Sequence, residues 1–244
     1  MKYQKKFLKL LIFIIVCLLI FWIFKKNNHN NINYTALGDS FALGENAYGQ
    51  IDYGYSDYVK DYLNTNNKLN KYIKSFSKKD ASIESLYQDI ALNKKIILNN
   101  KEINIKQTLR ESNIVTISIG LNDLIYQLCI TKDITDTAID RIISEIEVDF
   151  NKLITEIRKY YPGKIYIIGY YNINMESHLY AKAIKKLNNI YQNNKEVIYI
   201  DIYELFESTQ EYSPNFLNYH PTSQGYEAIS KQIITKIEKN LEKK

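Results

Sequence analysis

Apolar and polar positions divide the chain into one unbroken apolar run followed by an alternation of short and periodic segments. Leu10 to Phe24 is fifteen residues without a charge or a polar face. Beyond it, INYTAL (32–37) is a short apolar-rich stretch that predicts a strand, and residues 56–64 predict a helix. NIVTISI (113–119) predicts a second strand, ending at Gly120. Residues 138–160 carry Ile139, Ile142, Ile146, Phe150, Leu153 and Ile157 at helical spacing, so one face is buried. Pro162-Gly163 ends that helix, and KIYIIGYY (164–171) predicts the next strand. Residues 177–193 read as a helix and EVIYI (196–200) as a strand. The last helix starts near Thr222, a suitable N-cap, with Tyr226, Ile229, Ile233, Ile237 and Leu241 on one side.

Strands apolar on both faces, alternating with one-sided helices, predict an α/β fold: three layers, α/β/α, around a parallel flavodoxin-like sheet. No internal repeat is visible among the 244 residues, and the length after the apolar run suits one domain with its own core. The division expected is an anchor and tether over 1–30 and a single domain over 31–244. In such sheets, chemistry collects beyond the carboxyl ends of the strands.

The apolar run reaches eighteen positions if Phe7 and Leu8 are added across Lys9, whose ammonium can snorkel to the headgroups. That is just enough to cross the hydrocarbon core. Lys2, Lys5, Lys6 and Lys9 precede the run and only Lys25 and Lys26 follow it. This asymmetry predicts one transmembrane helix over residues 7–24, with the domain outside the cytoplasm. A cleaved signal peptide fits less well, because KKNNHNNIN after Phe24 offers no small-residue cleavage site. A lipoprotein signal at Cys17 would need a small residue before it, and Val16 stands there.

Charge then changes the picture of possible partners. The formal net charge is +5, but residues 1–30 hold six lysines and no acid, which leaves 26 basic against 27 acidic residues in the rest. A nearly neutral domain has no electrostatic footprint for nucleic acid, so none is expected as a partner. The two cysteines, Cys17 and Cys129, lie in different kinds of segment, and no His/Cys cluster has zinc spacing. No metal or cofactor is expected.

Three short segments carry candidate chemistry. Gly38-Asp39-Ser40 follows the first strand, where a glycine allows a tight turn and a serine stands at the sheet edge. Alone, the tripeptide is a weak signal and reads first as a turn capped by Asp39 or Ser40. Gly120-Leu121-Asn122-Asp123 follows the 113–119 strand. Asn122 has an uncharged N–H donor that could meet a developing oxyanion, although Asn-Asp is also a common helix start. Asn218-Tyr219-His220-Pro221-Thr222 precedes the last helix, and a loop histidine there can reach a serine as general base. His29 and His178, the only other histidines, sit in polar surroundings.

Taken in order, YTALGDSFALG, SIGLNDL and HPTSQGY resemble the motif blocks of the GDSL/SGNH hydrolase family, and YIIGYYNIN (166–174) is similar to the strand and loop before its distal helix. The resemblance spans about residues 32–242. It implies a serine esterase or acylhydrolase with Ser40 as nucleophile, His220 as base and Asn122 as an oxyanion donor, with Asp39 and Gly120 shaping the site. The expected partner is an ester substrate, on a cell-wall glycan or a lipid.

Two positions depart from the family pattern. The aspartate usual three residues before the histidine is replaced by Leu217, with Asn215 and Asn218 nearby and Glu211 more remote. The glycine of the second block would fall at Lys79 or Asp80, within SFSKKDASIESL (75–86). The first departure keeps open a non-catalytic glycan- or partner-binding domain. An acyltransferase using the same serine is the third reading.

Overall fold

The computed structural model describes residues 13–19, 32–173, 177–213 and 218–241. Its centre is a five-stranded parallel sheet in the order β2-β1-β5-β6-β7. The strands are β1 (Ile32–Gly38), β2 (Leu69–Ile73), β5 (Ile114–Ser118), β6 (Ile165–Ile168) and β7 (Val197–Ile200). The central three are buried on both faces, which accounts for their continuous apolar runs. β2 and β7 are edges and half-exposed.

Helices cover both faces. α2 (Tyr55–Thr65) packs on α9 (Ser223–Leu241), so the two ends of the domain share one layer. The other layer is built around α6 (Asp136–Arg158), which contacts α3 (Ile83–Ala91), α5 (Leu121–Ile130) and α7 (His178–Asn193). The three-layer α/β/α architecture expected from periodicity is the one observed. The apolar stripe of α6 is buried from Ile139 to Ile157, and that of α9 from Tyr226 to Ile237, while Leu241 at the end is exposed. Thr222 caps α9 as expected: its carbonyl accepts from Tyr226 N–H and its Oγ1 from Gly225 N–H.

Some elements differ from the sequence expectation. The strand expected over 164–171 stops at Ile168, and residues 169–171 leave the sheet to carry Tyr170 into the site. A β-hairpin, β3 (Lys95–Leu98) and β4 (Lys101–Asn104), stands between α3 and the short α4 (Ile105–Glu111). Asn99 and Asn100 turn it with φ of 50° and 60°, the pair of positive angles a two-residue turn requires.

Among the described residues no helix is long and apolar enough to cross a membrane. Of the run predicted to do so, only 13–19 are described. They are helical, and Phe13, Ile14, Ile15, Val16, Leu18 and Leu19 are exposed. The rest of the expected anchor and tether lies outside the described residues, as do Asn215 and Leu217.

Candidate active site

The sheet brings the first two motifs together at its carboxyl edge. β1 and β5 run in register to their last residues, Gly38 beside Ser118, and Asp39 N–H donates to the Ser118 carbonyl at 2.8 Å. Gly38 turns there with φ +119°, and a Cβ on it would stand 1.8 Å from the Ser118 oxygen, so only glycine fits. Ser40 then opens a single helical turn, α1 (Ser40–Leu43).

Asp39 is the N-cap of that turn. One carboxylate oxygen accepts from Phe41 N–H at 3.0 Å and from Ser118 Oγ–H at 2.7 Å, and the other accepts from the Tyr170 hydroxyl. Burial pushes the Asp39 carboxyl up to about 6, opposed by these donors. The side chain thus ties the nucleophile turn to β5 and to the segment after β6.

The third motif closes on the first. His220 Nε2 lies 2.7 Å from Ser40 Oγ, across 180 residues of sequence. The imidazole is buried, stacked on Tyr219 with ring centres 4.7 Å apart and flanked by Phe41 at 5.7 Å. The Tyr171 hydroxyl donates to the Tyr219 carbonyl and fixes the loop. Burial lowers the imidazole's pKa below the ordinary histidine value, with Glu45 opposing that shift and Lys79 adding to it.

The other ring nitrogen answers the question raised by Leu217. Nδ1 meets Asn218 Oδ1 at 2.5 Å, and His220 N–H donates to the same oxygen at 3.1 Å. A backbone N–H can only donate, so the amide must present its oxygen. The same oxygen then accepts from Nδ1–H, which leaves the Nε2 lone pair facing Ser40. The uncharged Asn218 therefore does the orienting work expected of an acid. Glu211, the remote alternative, is exposed, and its backbone carbonyl accepts from Thr222 Oγ1.

Asn122 sits in the first turn of α5, after Gly120, whose φ of +108° and close approach to the Tyr191 hydroxyl exclude a side chain. Its amide nitrogen donates to the Ala81 carbonyl at 3.0 Å and the Lys79 carbonyl at 3.4 Å. Asn122 holds the loop between β2 and α3, the segment expected to supply the second-block donor. Lys78 N–H in that loop donates to the Gly38 carbonyl at 3.0 Å, docking it beside the nucleophile turn. Asp123, next along, accepts from Ile83 N–H, and burial pushes it up to about 6.

A residue absent from the sequence expectation completes the site. Glu45, just after α1, is 7% exposed, and its Oε2 lies 3.6 Å from His220 Nε2. Lys79 Nζ pairs with the other oxygen at 2.7 Å. Beyond Asn122 opens a cleft of about 500 Å³ lined by polar and acidic side chains, among them Asp80, Asp123, Gln127 and Asp149, with the exposed ring of Tyr126.

A serine oxygen hydrogen-bonded to an oriented imidazole at the carboxyl edge of a parallel sheet defines a class, the serine hydrolases. Within it the chain belongs to the GDSL-like lipase/acylhydrolase family, whose profile matches residues 34–233. Among curated proteins no sequence matches the chain. Solved structures of similar fold include the lipase Lip_vut3 from a goat rumen metagenome, at 24% identity and TM-score 0.68 over 84% of this chain and 96% of that one. A catalytic mutant of Axe2, an acetylxylan esterase from Geobacillus stearothermophilus, aligns at 14% identity and TM-score 0.60 over 84% and 94%. The psychrotrophic esterase EstA from Pseudoalteromonas sp. aligns at 16% identity and TM-score 0.56 over 87% and 99%.

Proposed function

We propose that this protein is an esterase that forms an acyl-enzyme on Ser40 and acts at the outer face of a membrane. The observation that carries the catalytic reading is the 2.7 Å contact between His220 Nε2 and Ser40 Oγ, with Nδ1 held on Asn218. Ser40 Oγ attacks the ester carbonyl carbon as its proton passes to Nε2. The imidazolium then returns that proton to the leaving alcohol. Water, deprotonated by the same nitrogen, releases the acid and restores Ser40.

The oxyanion needs donors fixed in advance. Ser40 N–H is one, since the first amides of a helical turn have no partner within it. The loop at Lys79 and Asp80 supplies the second through its backbone, which survives the loss of glycine. Asn122 serves the oxyanion hole by holding that loop through the Ala81 and Lys79 carbonyls.

The cleft supports a hydroxylated alcohol portion, such as an O-acetylated glycan. Its carboxylates and amides offer hydrogen bonds to hydroxyls, an exposed Tyr126 ring can stack on a sugar face, and anionic lipid headgroups would be repelled. Membrane attachment rests on the charge-free run and its lysine asymmetry, together with the exposed apolar side chains of residues 13–19.

The full chain in detergent should hydrolyse p-nitrophenyl acetate and release acetate from acetylated xylo- or chito-oligosaccharides, with activity lost in Ser40→Ala. Absence of hydrolysis, or hydrolysis that survives Ser40→Ala, would refute the reading. Protease added to intact cells should digest the domain. Protection until the cells are lysed would place it inside.

A further inference from the structure

We propose that Glu45 is the counter-charge of the catalytic histidine, a positioning carboxylate that stabilises the His220 imidazolium from the Nε2 side. The proposal rests on Ser40 and His220 being the catalytic pair. Asn218 fixes the ring's tautomer but brings no charge to it. A histidine that takes up a serine proton while 7% exposed becomes a buried cation, which is costly without a nearby anion. Among the described residues the nearest carboxylate oxygen is Glu45 Oε2, at 3.6 Å from the atom that receives the proton.

The chain is built to hold that carboxylate there. Gly44 ends α1 in the left-handed conformation at φ +91°, and a Cβ on it would stand 2.5 Å from the Asp52 carbonyl. Glu45 N–H then donates to the Ser40 carbonyl at 2.9 Å, and the Glu45 carbonyl accepts from the Tyr226 hydroxyl at 2.5 Å. A bridge to Ile51 closes the loop. The backbone is therefore anchored to the nucleophile turn and to α9 at once, and the carboxylate lies between His220 and Lys79.

Lys79 makes the burial of Glu45 tolerable without cancelling its effect on the ring. The pair is asymmetric: the glutamate side chain is 9% exposed and the lysine 45%. Water screens the ammonium, whereas the carboxylate and the imidazole face each other with both side chains buried. Lys79 Nζ also donates to the Gly49 carbonyl at 3.1 Å, which draws it toward the rim. Among the described residues, the other ionisable groups around the ring are Asp80 from the Lys79 loop and Tyr219, which stacks on it, with the Tyr171 hydroxyl bonded to the Tyr219 carbonyl. Among the charged groups Glu45 acts most strongly on the ring and opposes the effect of its burial, with Lys79 next and of opposite sign.

The test reads the imidazole itself. NMR titration of the full chain in detergent follows the ring protons of His220, assigned by their loss in His220→Gln. Glu45→Gln should lower the His220 pKa by about one unit, a tenfold loss of proton affinity. Lys79→Gln should raise it. The acid limb of kcat/KM should move with each, and kcat of Glu45→Gln should fall roughly tenfold with KM unchanged, since the anion acts when the ring is charged. An unchanged His220 pKa in both variants would overturn the proposal, whatever the activity. Should Glu45→Gln fail to fold, Lys79→Gln decides alone: a rise supports the proposal, and no change or a fall refutes it. Because the titration needs no substrate, a chain without esterase activity would refute the catalytic reading and leave this measurement standing.

Discussion

Replacing Asn218 by alanine removes one oxygen that serves two donors, His220 Nδ1 at 2.5 Å and His220 N–H at 3.1 Å. The ring is 7% exposed, so water is poorly placed to substitute. A buried donor left unpaired costs about 1–3 kcal/mol, and the Nδ1–H bond strengthens when the ring is charged. That bond therefore carries roughly 1.5–3 kcal/mol in the transition state, and kcat should fall by about 10- to 150-fold. KM should hardly move, because Asn218 contacts the ring and not the ester. The packing of Tyr219 and Phe41 keeps the ring in place, so some activity should survive. The lost backbone bond, about 1 kcal/mol, should lower Tm by roughly 2–4 °C. Asn218→Asp provides the contrast: a carboxylate on Nδ1 should keep activity and move the acid limb of kcat/KM to higher pH. Initial rates on p-nitrophenyl acetate, with Tm as the check on folding, give all these quantities. An Asn218→Ala enzyme within twofold of the parent would refute the orienting role.

Gly38→Ala should abolish the nucleophile turn, because the new Cβ would lie 1.8 Å from the Ser118 carbonyl at a φ of +119°. A loss of at least about 3 kcal/mol is expected, visible as insoluble protein or a collapse of Tm. Tyr170→Phe removes a donor from the buried Asp39 carboxylate. It should raise the Asp39 pKa further and lower Tm by several degrees, with a drop in kcat of roughly tenfold or less. The pH–rate profile should have its acid limb below 6.5, since burial lowers the His220 pKa and the base must be neutral. The same shift makes His220 contribute stability that is present above 6.5 and lost as pH falls from there through its lower value in the fold. Asp39 acts in the opposite sense. Its carboxyl rises to about 6 in the fold, so its contribution weakens as pH climbs from about 4 to 6. Thermal melts of the parent and Asp39→Asn between pH 4 and 8 separate the two.

Much of this fold could be read from the chain because its central strands are buried on both faces and its long helices on one. β5, β6 and the stripe of α6 announce themselves for that reason. β2 did not, since LNKYI lies at an edge with mixed exposure, and the β3–β4 hairpin is short and mostly half-exposed. Its Asn99-Asn100 turn was the available signal. At the site, Ser40 and His220 were legible from motif and position, but their partners were not. Asn218 is two residues from the histidine rather than three, and its role depends on an amide orientation that only the His220 N–H fixes. Glu45 reaches the ring because the chain doubles back after Gly44, a geometry no local pattern encodes. Asn122 was read as an oxyanion donor by its place after a strand, whereas its hydrogen bonds run to the Lys79–Ala81 loop.

The central claim is that Ser40 is a nucleophile activated by His220. Fluorophosphonate labelling followed by peptide mass spectrometry tests it most directly. The account predicts one adduct per chain, on the peptide containing Ser40, absent in Ser40→Ala and formed far more slowly in His220→Gln. Labelling elsewhere, or labelling of Ser40 at the parent's rate in His220→Gln, would contradict it.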